Sequence, residues 1–202
     1  MPRPRSLTPQ QIADAALAVA DGDGLAALSM RTVARRLGVG TMSLYRYVAD
    51  RVELEALVVD RVLAGIDLTV SRGSPGRRVA TLAERVRTAV AAHPAVIPLL
   101  LIHRHRTPAS LQWGEAVLAV LTDAGFAGRR RVLAFRAILA YVFGALEVEH
   151  FASLAGAGTR ALASLSDEDF PLLARTAVDA AQLTADEEFR RGIDIVLRGL
   201  GL

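Results

Sequence analysis

Residues 29–49 read SMRTVARRLGVGTMSLYRYVA, and this stretch decides the fold. Ser29 can cap a short helix over Met30 to Leu37, which ends at Gly38, and a second short helix follows over about Thr41 to Tyr47. A helix-turn-helix needs a small residue where the helices cross, a turn residue that accepts positive φ, and apolar residues that lock the second helix at a steep angle. The residues with this spacing are Ala34, Gly38, and the lock residues Leu37, Val39 and Leu44.

The second of these helices keeps an exposed face of hydrogen-bonding and planar side chains. The members of this face are Thr41, Met42, Ser43, Tyr45, Arg46 and Tyr47, and none is a carboxylate. Such a surface suits the major groove of a DNA duplex. The alternative is an ordinary helical hairpin whose tyrosines pack on a neighbouring helix. Two residues that are two apart on a helix cannot both face inward, so we expect Tyr45 or Tyr47 to point outward.

The charge of the chain is concentrated at one end. Residues 1–51 hold seven Arg and four acidic residues, whereas the other 151 residues hold 17 of each, so the formal net charge of +3 belongs to the first quarter. This distribution predicts a basic head for a polyanion on a neutral body.

Composition excludes several classes of protein. The 202 residues are 52% apolar and 22% charged, which excludes a disordered chain and predicts one domain or two small ones. The absence of Cys excludes disulfides, thiolate zinc sites and Cys nucleophiles. An unbroken apolar stretch such as Ala137 to Leu146 is shorter than the roughly 18 residues that span a bilayer, and no apolar run follows the N-terminus. We therefore expect a soluble cytoplasmic protein with no membrane partner.

Apolar residues recur at helical spacing along the chain, so the sequence predicts an all-α fold of nine or ten helices. We expect residues 156–166, after a long helix, to be mobile because of their glycines. The predicted helices are one opened by the capping box Thr8-Pro9-Gln10-Gln11, the pair described above, Arg51 toward Val70 capped by Asp50, Pro75 to about Ala92, Ala95 to His103, Pro108 to Ala124, Arg129 to about Ala155, and two last helices capped by Ser166 and Thr184.

The segment LSMRTVARRLGVGTMSLYRYVADRVEL, residues 28–54, resembles the N-terminal DNA-binding domain of TetR-type transcriptional repressors. The resemblance covers about residues 8–60. HRHRTP at 103–108, TDAGF at 122–126 and FGALEVEH at 143–150 resemble, more weakly, the tetracycline-repressor-like C-terminal architecture. The resemblance implies a helix-turn-helix domain at 1–50 and a helical ligand-binding and dimerisation domain at 51–202.

The resemblance also implies roles for the basic and polar residues of the head. Residues at positions that meet bases are Arg31, Thr41 and Met42. Residues at positions that contact phosphate or sugar are Ser43, Tyr45, Tyr47 and Arg51. Arg46 could reach either a base or a phosphate, and Arg3 and Arg5 could add contacts from an N-terminal arm.

Members of the family bind palindromes as homodimers and respond to a small molecule. The resemblance implies that the helices from about Arg130 to Ala155 and from Asp186 to Arg198 pair with their copies as a four-helix bundle. The all-round apolar sequence AILAYVFGAL at 137–146 favours this pairing over the alternative, a buried central helix in a monomer. The neutral, apolar body predicts a largely apolar effector, and the candidate ligand-binding residues are His93, His103, Gln112, Trp113 and Glu147.

Other functions have weaker support. The chain has no Gly-x-Ser-x-Gly elbow, phosphate-binding glycine loop or His-Glu-x-x-His, so we expect no enzyme, no catalytic residue and no cofactor. His103 falls at a metal-ligand position of the tetracycline repressor, but Thr107 replaces the Arg before Pro108, and His105 diverges from His103 on a helix; we expect no metal site and no tetracycline sensing. His105 and His150 are expected to be surface or core residues. The remaining alternative is a DNA-binding regulator or architectural protein without a ligand.

Overall fold

A computed structural model describes residues 7–70 and 72–202, and it contains no strand within these ranges. The fold is all-α, as the sequence predicts, with two short 3-10 turns at Leu25–Ala27 and Pro94–Val96. Eleven α-helices lie in the described residues, rather than nine or ten. They are α1 (Pro9–Asp23), α2 (Met30–Arg36), α3 (Thr41–Leu44), α4 (Arg51–Leu63), α5 (Pro75–Ala91), α6 (Ile97–His103), α7 (Pro108–Asp123), α8 (Gly128–Phe151), α9 (Ala157–Ala163), α10 (Pro171–Ala180) and α11 (Ala185–Leu200).

The chain divides into two compact units. The first contains the described residues up to Thr69 together with Arg85–Ala116, and the second contains Val70–Glu84 and Val117–Leu202. Helices α5 and α7 contribute residues to each unit. No single helix in the described ranges is long and apolar enough to cross a membrane; by length and composition alone, the bent pair Pro75–Ala91 and Pro94–His103 meets that requirement.

The first unit is built around α1 and α4, which pack on each other. The predicted capping box opens α1, since the Thr8 hydroxyl accepts from the Gln11 backbone N–H at 3.2 Å and the Gln11 side chain accepts from the Thr8 N–H at 3.0 Å. The apolar stripe of α1, which includes Ile12, Ala16 and Val19, is buried as its spacing predicts. Helix α1 also packs on α2, so the core of this unit supports the helix-turn-helix.

Helix α4 is shorter than the predicted extension toward Val70. Asp50 caps its start as expected, accepting from the Glu53 N–H at 2.8 Å, but the helix ends at Leu63. Beyond it, the Asp67 carboxylate accepts from the Thr69 N–H at 2.8 Å, and the Arg85 side chain donates to the Thr69 carbonyl at 3.1 Å. A side chain that bonds to nearby backbone competes with the helix ladder, so these bonds favour a non-helical conformation of residues 67–69, where the sequence predicts helix.

The second unit places α8 against α11. The Tyr141 hydroxyl on α8 donates to the Phe189 carbonyl at 2.9 Å and lies 3.2 Å from the Glu188 carbonyl, both on α11. Gly192 leaves room for the Tyr141 ring, because a Cβ at this position would lie 2.7 and 2.8 Å from two of the ring carbons. The predicted cap at Thr184 opens α11 and forms a capping box, in which Thr184 accepts from the Glu187 N–H at 3.2 Å.

Helices α9 and α10 form a hairpin whose members pack on each other. The segment predicted to be mobile contains α9, and Ser166 does not cap the next helix: its hydroxyl accepts from the Glu168 N–H at 3.2 Å, and α10 begins at Pro171. Proline suits the first position of a helix because its missing N–H would be unpaired there. Helix α9 buries no side chain and α10 buries only Ala174 and Ala177.

Candidate nucleic-acid interface

The predicted helix-turn-helix is present in the first unit. Ser29 caps α2 by accepting from the Thr32 N–H at 3.2 Å. Gly38 adopts a φ of +69°, the left-handed conformation that glycine accepts without strain. The Val39 N–H then donates to the Ala34 carbonyl at 3.0 Å and reverses the chain.

The residues predicted at the helix crossing and in the lock lie on the inner side of this motif. Ala34 and Leu44 are fully buried, whereas Leu37 and Val39 are half-buried. Helix α3 ends at Leu44, three residues before the predicted end. The chain continues as turns, in which the Tyr47 N–H donates to the Leu44 carbonyl at 2.9 Å, and Val48 returns to the core.

The outer face of α3 and its following turn is exposed. The exposed fractions are 78% for Met42, 47% for Tyr45 and 37% for Tyr47, so both tyrosines point outward rather than into a neighbouring helix. Arg46 is exposed, and Thr41 and Ser43 are half-buried. The structure therefore brings all six predicted residues of this surface together.

Three exposed arginines lie on α2. Arg31 is in the first turn, while Arg35 and Arg36 occupy the last turn. Cations in the last turn of a helix interact favourably with its dipole. Arg35 and Arg36 therefore stabilise the end of α2, a role that the sequence analysis did not assign to them. Arg3 and Arg5 lie outside the described residues.

Arg51 is the first residue of α4 and is held by two neighbours. Its Nε–H donates to the Glu55 carboxylate at 2.7 Å, and a terminal nitrogen donates to the Leu25 carbonyl at 3.2 Å. Sequence reasoning missed Glu55, although the spacing of four residues on a helix was a sufficient signal.

Glu55 also contacts a buried histidine. His103 Nε2 lies 3.1 Å from the second carboxylate oxygen of Glu55, and the side chain of His103 is 1% exposed. Its Nδ1 has no hydrogen-bond partner among the described residues. A proton on Nδ1 would therefore be a buried donor without an acceptor, so the geometry favours the tautomer in which Nε2–H donates to Glu55.

The other candidate ligand residues lie in different surroundings. Trp113 on α7 is buried, and Gln112 beside it is exposed. His93 is half-buried, and its Nδ1 lies 2.7 Å from the Asp21 carboxylate. These residues and His103 belong to the first unit, whereas Glu147 is exposed on α8 in the second.

Neither of the remaining histidines joins these candidates. His105 is exposed, and His150 is exposed with its ring edge-on to Phe151. Within the described ranges, no group of three or more His, Asp or Glu side chains is placed to hold a metal ion.

The second unit carries an apolar surface on α8 and α11, which we call the α8/α11 face. Its exposed members include Leu133, Val148 and Ile195. A groove of about 400 Å³ lies on it, lined partly by the Tyr141 ring and by Gly144 and Gly192. Exposed apolar patches of this kind are typical of protein–protein interfaces.

A capped helix pair, a left-handed glycine turn and an exposed aromatic and basic face together define a helix-turn-helix protein. Residues 12–54 match the family model for bacterial regulatory proteins of the tetR family, and residues 72–201 match the tetracyclin repressor-like C-terminal domain. The chain belongs to the TetR family of transcriptional regulators.

Individual relatives agree with this assignment. The HTH-type transcriptional repressor DrrR1 of Streptomyces coeruleorubidus is 37% identical over 147 residues, which is 71% of this chain but only 54% of that protein. An HTH-type transcriptional regulator of Saccharopolyspora erythraea is 34% identical over 96% of this chain and 84% of its own length. Among solved structures, apo ActR from Streptomyces coelicolor has a TM-score of 0.82 at 27% identity, covering 96% of this chain and 94% of its own. ActR has also been solved in complex with actinorhodin.

Proposed function

We propose that this protein is a repressor that binds a palindromic DNA operator as a homodimer and is released by a small, largely apolar molecule. The observation that carries the proposal is the exposed face of α3 and the turn that follows it, from which Met42, Tyr45 and Tyr47 project. The similarity to DrrR1, a transcriptional repressor, supports repression rather than activation.

The DNA contacts follow the positions of the side chains on the first unit. Arg31, Thr41 and Met42 would meet base edges in the major groove. Ser43, Tyr45, Tyr47 and Arg51 would contact the phosphates and sugars that set the register of the protein on the duplex, and Arg46 would reach a base or a phosphate. We propose that residues 1–50 form the DNA-binding domain and that residues 51–202 form the ligand-binding and dimerisation domain.

The α8/α11 face is the proposed dimer surface. A single helix-turn-helix makes few base contacts, and two copies related by a twofold axis match a palindrome. Leu133 and Ile195 are each more than half exposed on this face, so a second copy of the same face would bury them.

The effector proposal rests on the buried polar and aromatic side chains of the first unit. Trp113 supplies apolar surface, and the unpartnered Nδ1 of His103 could accept a hydrogen bond from a hydroxyl or N–H group of the ligand. The complex of ActR with actinorhodin supports a small-molecule effector for this chain. His93, Gln112 and Glu147 stay predictions for the same role.

Selection of bound fragments from genomic DNA tests the operator proposal. We expect an enriched palindrome and, in sedimentation, a dimer at micromolar concentration. Arg46→Ala should change the selected sequence if Arg46 reads a base, or weaken binding uniformly if it contacts a phosphate; Arg36→Ala is the matched control on α2. A stable monomer, or selection without any enriched sequence, would overturn the proposal.

The effector is tested with the single Trp of the chain as a probe. A compound that releases the operator should also change the fluorescence of Trp113, and Trp113→Phe should remove that signal while leaving operator binding intact. Failure of every compound in a diverse library to release DNA would favour the ligand-free regulator instead.

A further inference from the structure

A chain of three side chains connects the interior of the first unit to the first residue of α4. His103 Nε2 lies 3.1 Å from one oxygen of Glu55, and the other oxygen accepts from Arg51 Nε–H at 2.7 Å. The exposed fractions of these side chains rise from 1% for His103 to 15% for Glu55 and 52% for Arg51. Of these three side chains, only that of Arg51 is therefore open to a ligand that binds the N-terminal domain.

The stability of α4 does not explain this arrangement. Arg51 occupies the first turn, where a cation opposes the helix dipole. The order of the pair is also the less favourable one, because an acidic residue four positions before a basic one stabilises a helix better than the reverse. A role outside the helix accounts for the position of Arg51 better than helix stability does.

We propose that Glu55 and His103 are positioning residues for DNA binding, which they serve without touching DNA. This inference rests on the proposed function, in which Arg51 contacts a phosphate. Glu55 and the Leu25 carbonyl engage two of the five N–H groups of Arg51 and leave the others for the phosphate. His103 in turn holds the Glu55 carboxylate, so the guanidinium is ordered before DNA arrives.

For Glu55→Gln, an effect of charge alone and an effect of positioning Arg51 predict opposite changes in DNA affinity. Loss of a negative charge beside the phosphate backbone should tighten binding if only charge matters. Gln cannot accept from both partners, however. With its oxygen on Arg51, its amide N–H donates to His103 Nε2 and forces the imidazole proton to the unpartnered Nδ1; with its oxygen on His103, its N–H group faces the Arg51 donor. Losing the order of one long side chain should weaken binding by about fivefold for each head that engages DNA.

The experiment measures operator affinity as a function of salt for full-length protein. Glu53→Gln is the matched control, since Glu53 lies on the same turn of α4 and accepts from the Ala49 N–H rather than from Arg51. We expect Glu55→Gln and His103→Leu to weaken binding and Glu53→Gln not to. In an Arg51→Ala background, neither Glu55→Gln nor His103→Leu should weaken it further, a result that a merely structural role would not produce.

The outcomes separate this inference from the proposed function. The positioning role alone would be overturned by two results together. Arg51→Ala lowers the salt dependence by about one phosphate per head, and Glu55→Gln tightens binding or matches the Glu53→Gln control. Equal weakening by Glu55→Gln with and without Arg51 would do the same. Wild-type protein that selects no DNA sequence would overturn the proposed function. If His103→Leu fails to fold, Glu55→Gln still tests the positioning role. In that variant the NMR signal of the Arg51 Nε–H should lose its protection from exchange.

Discussion

Replacing Gly192 with alanine should destabilise the second unit, although alanine is normally the better helix former. The new Cβ would lie 2.7 and 2.8 Å from ring carbons of Tyr141 and closer still to its hydroxyl oxygen, so the ring must move. Its hydrogen bond to the Phe189 carbonyl, 2.9 Å long, would be lost, at a cost of about 1 kcal/mol. Its tilted contact with the Phe189 ring, at 5.9 Å between centroids, would also change.

The net effect follows from comparing these terms. Overpacking costs about 1–3 kcal/mol in addition to the lost hydrogen bond. Alanine returns about 1 kcal/mol through its higher helix propensity. We therefore expect Gly192→Ala to lower the free energy of unfolding by about 2 kcal/mol.

A double-mutant cycle measured by urea unfolding at one fixed protein concentration tests this reasoning. In a Tyr141→Ala background the obstacle is gone, so Gly192→Ala should become neutral or stabilising. Gly199→Ala on the same helix is the control, because nothing lies within 4 Å of its Cβ, and it should not destabilise. The same loss of stability from Gly192→Ala in both backgrounds would refute the steric argument.

Three further predictions concern the head, the dimer surface and pH. Arg31→Ala should cost about 1–3 kcal/mol of operator binding and relax the preference at one base pair, whereas Tyr47→Phe should weaken binding without changing the preference; both are measured by titration against operator variants, and equal losses on random DNA would contradict the assigned roles. Leu133→Arg on the exposed α8/α11 face should shift the protein toward monomer in sedimentation, and an unchanged dimer would exclude this part of the face from the interface. Hydrogen bonds from the Thr184 backbone and side chain lower the pKa of Glu187 below its ordinary value of 4.5. The stability that this carboxylate contributes is present above pH 4.5 and is lost as the pH falls through the lower pKa of the folded state. Glu187→Gln should therefore make the free energy of unfolding depend less on pH below 4.5, and an identical pH dependence in the variant would exclude the effect.

Local chemistry made much of the fold predictable from the sequence. The caps at Thr8, Ser29, Asp50 and Thr184 mark helix starts because each side chain satisfies a backbone N–H within three residues. Gly38 marks the turn because only glycine adopts its φ without strain. These signals depend on neighbours in the chain, so they are visible in one sequence.

The remaining features depend on residues far apart in the chain. The segment after α4 is held by Arg85 through the Thr69 carbonyl, and the burial of His103 against Glu55 joins positions 48 residues apart. Ser166 had the right residue type for a cap, but Pro171 offered a better start for α10. A single sequence contains no signal for which of two adequate local choices the tertiary structure stabilises.

The sparse burial in the α9–α10 hairpin has a consequence for local unfolding. With only Ala174 and Ala177 buried in it, the hairpin gains little from removing apolar surface from water. Its exposed Phe170, Leu172 and Val178 add nothing until something covers them. The hairpin is therefore the part of the second unit whose amide protons should exchange first with solvent, well before the cores of α8 and α11 open.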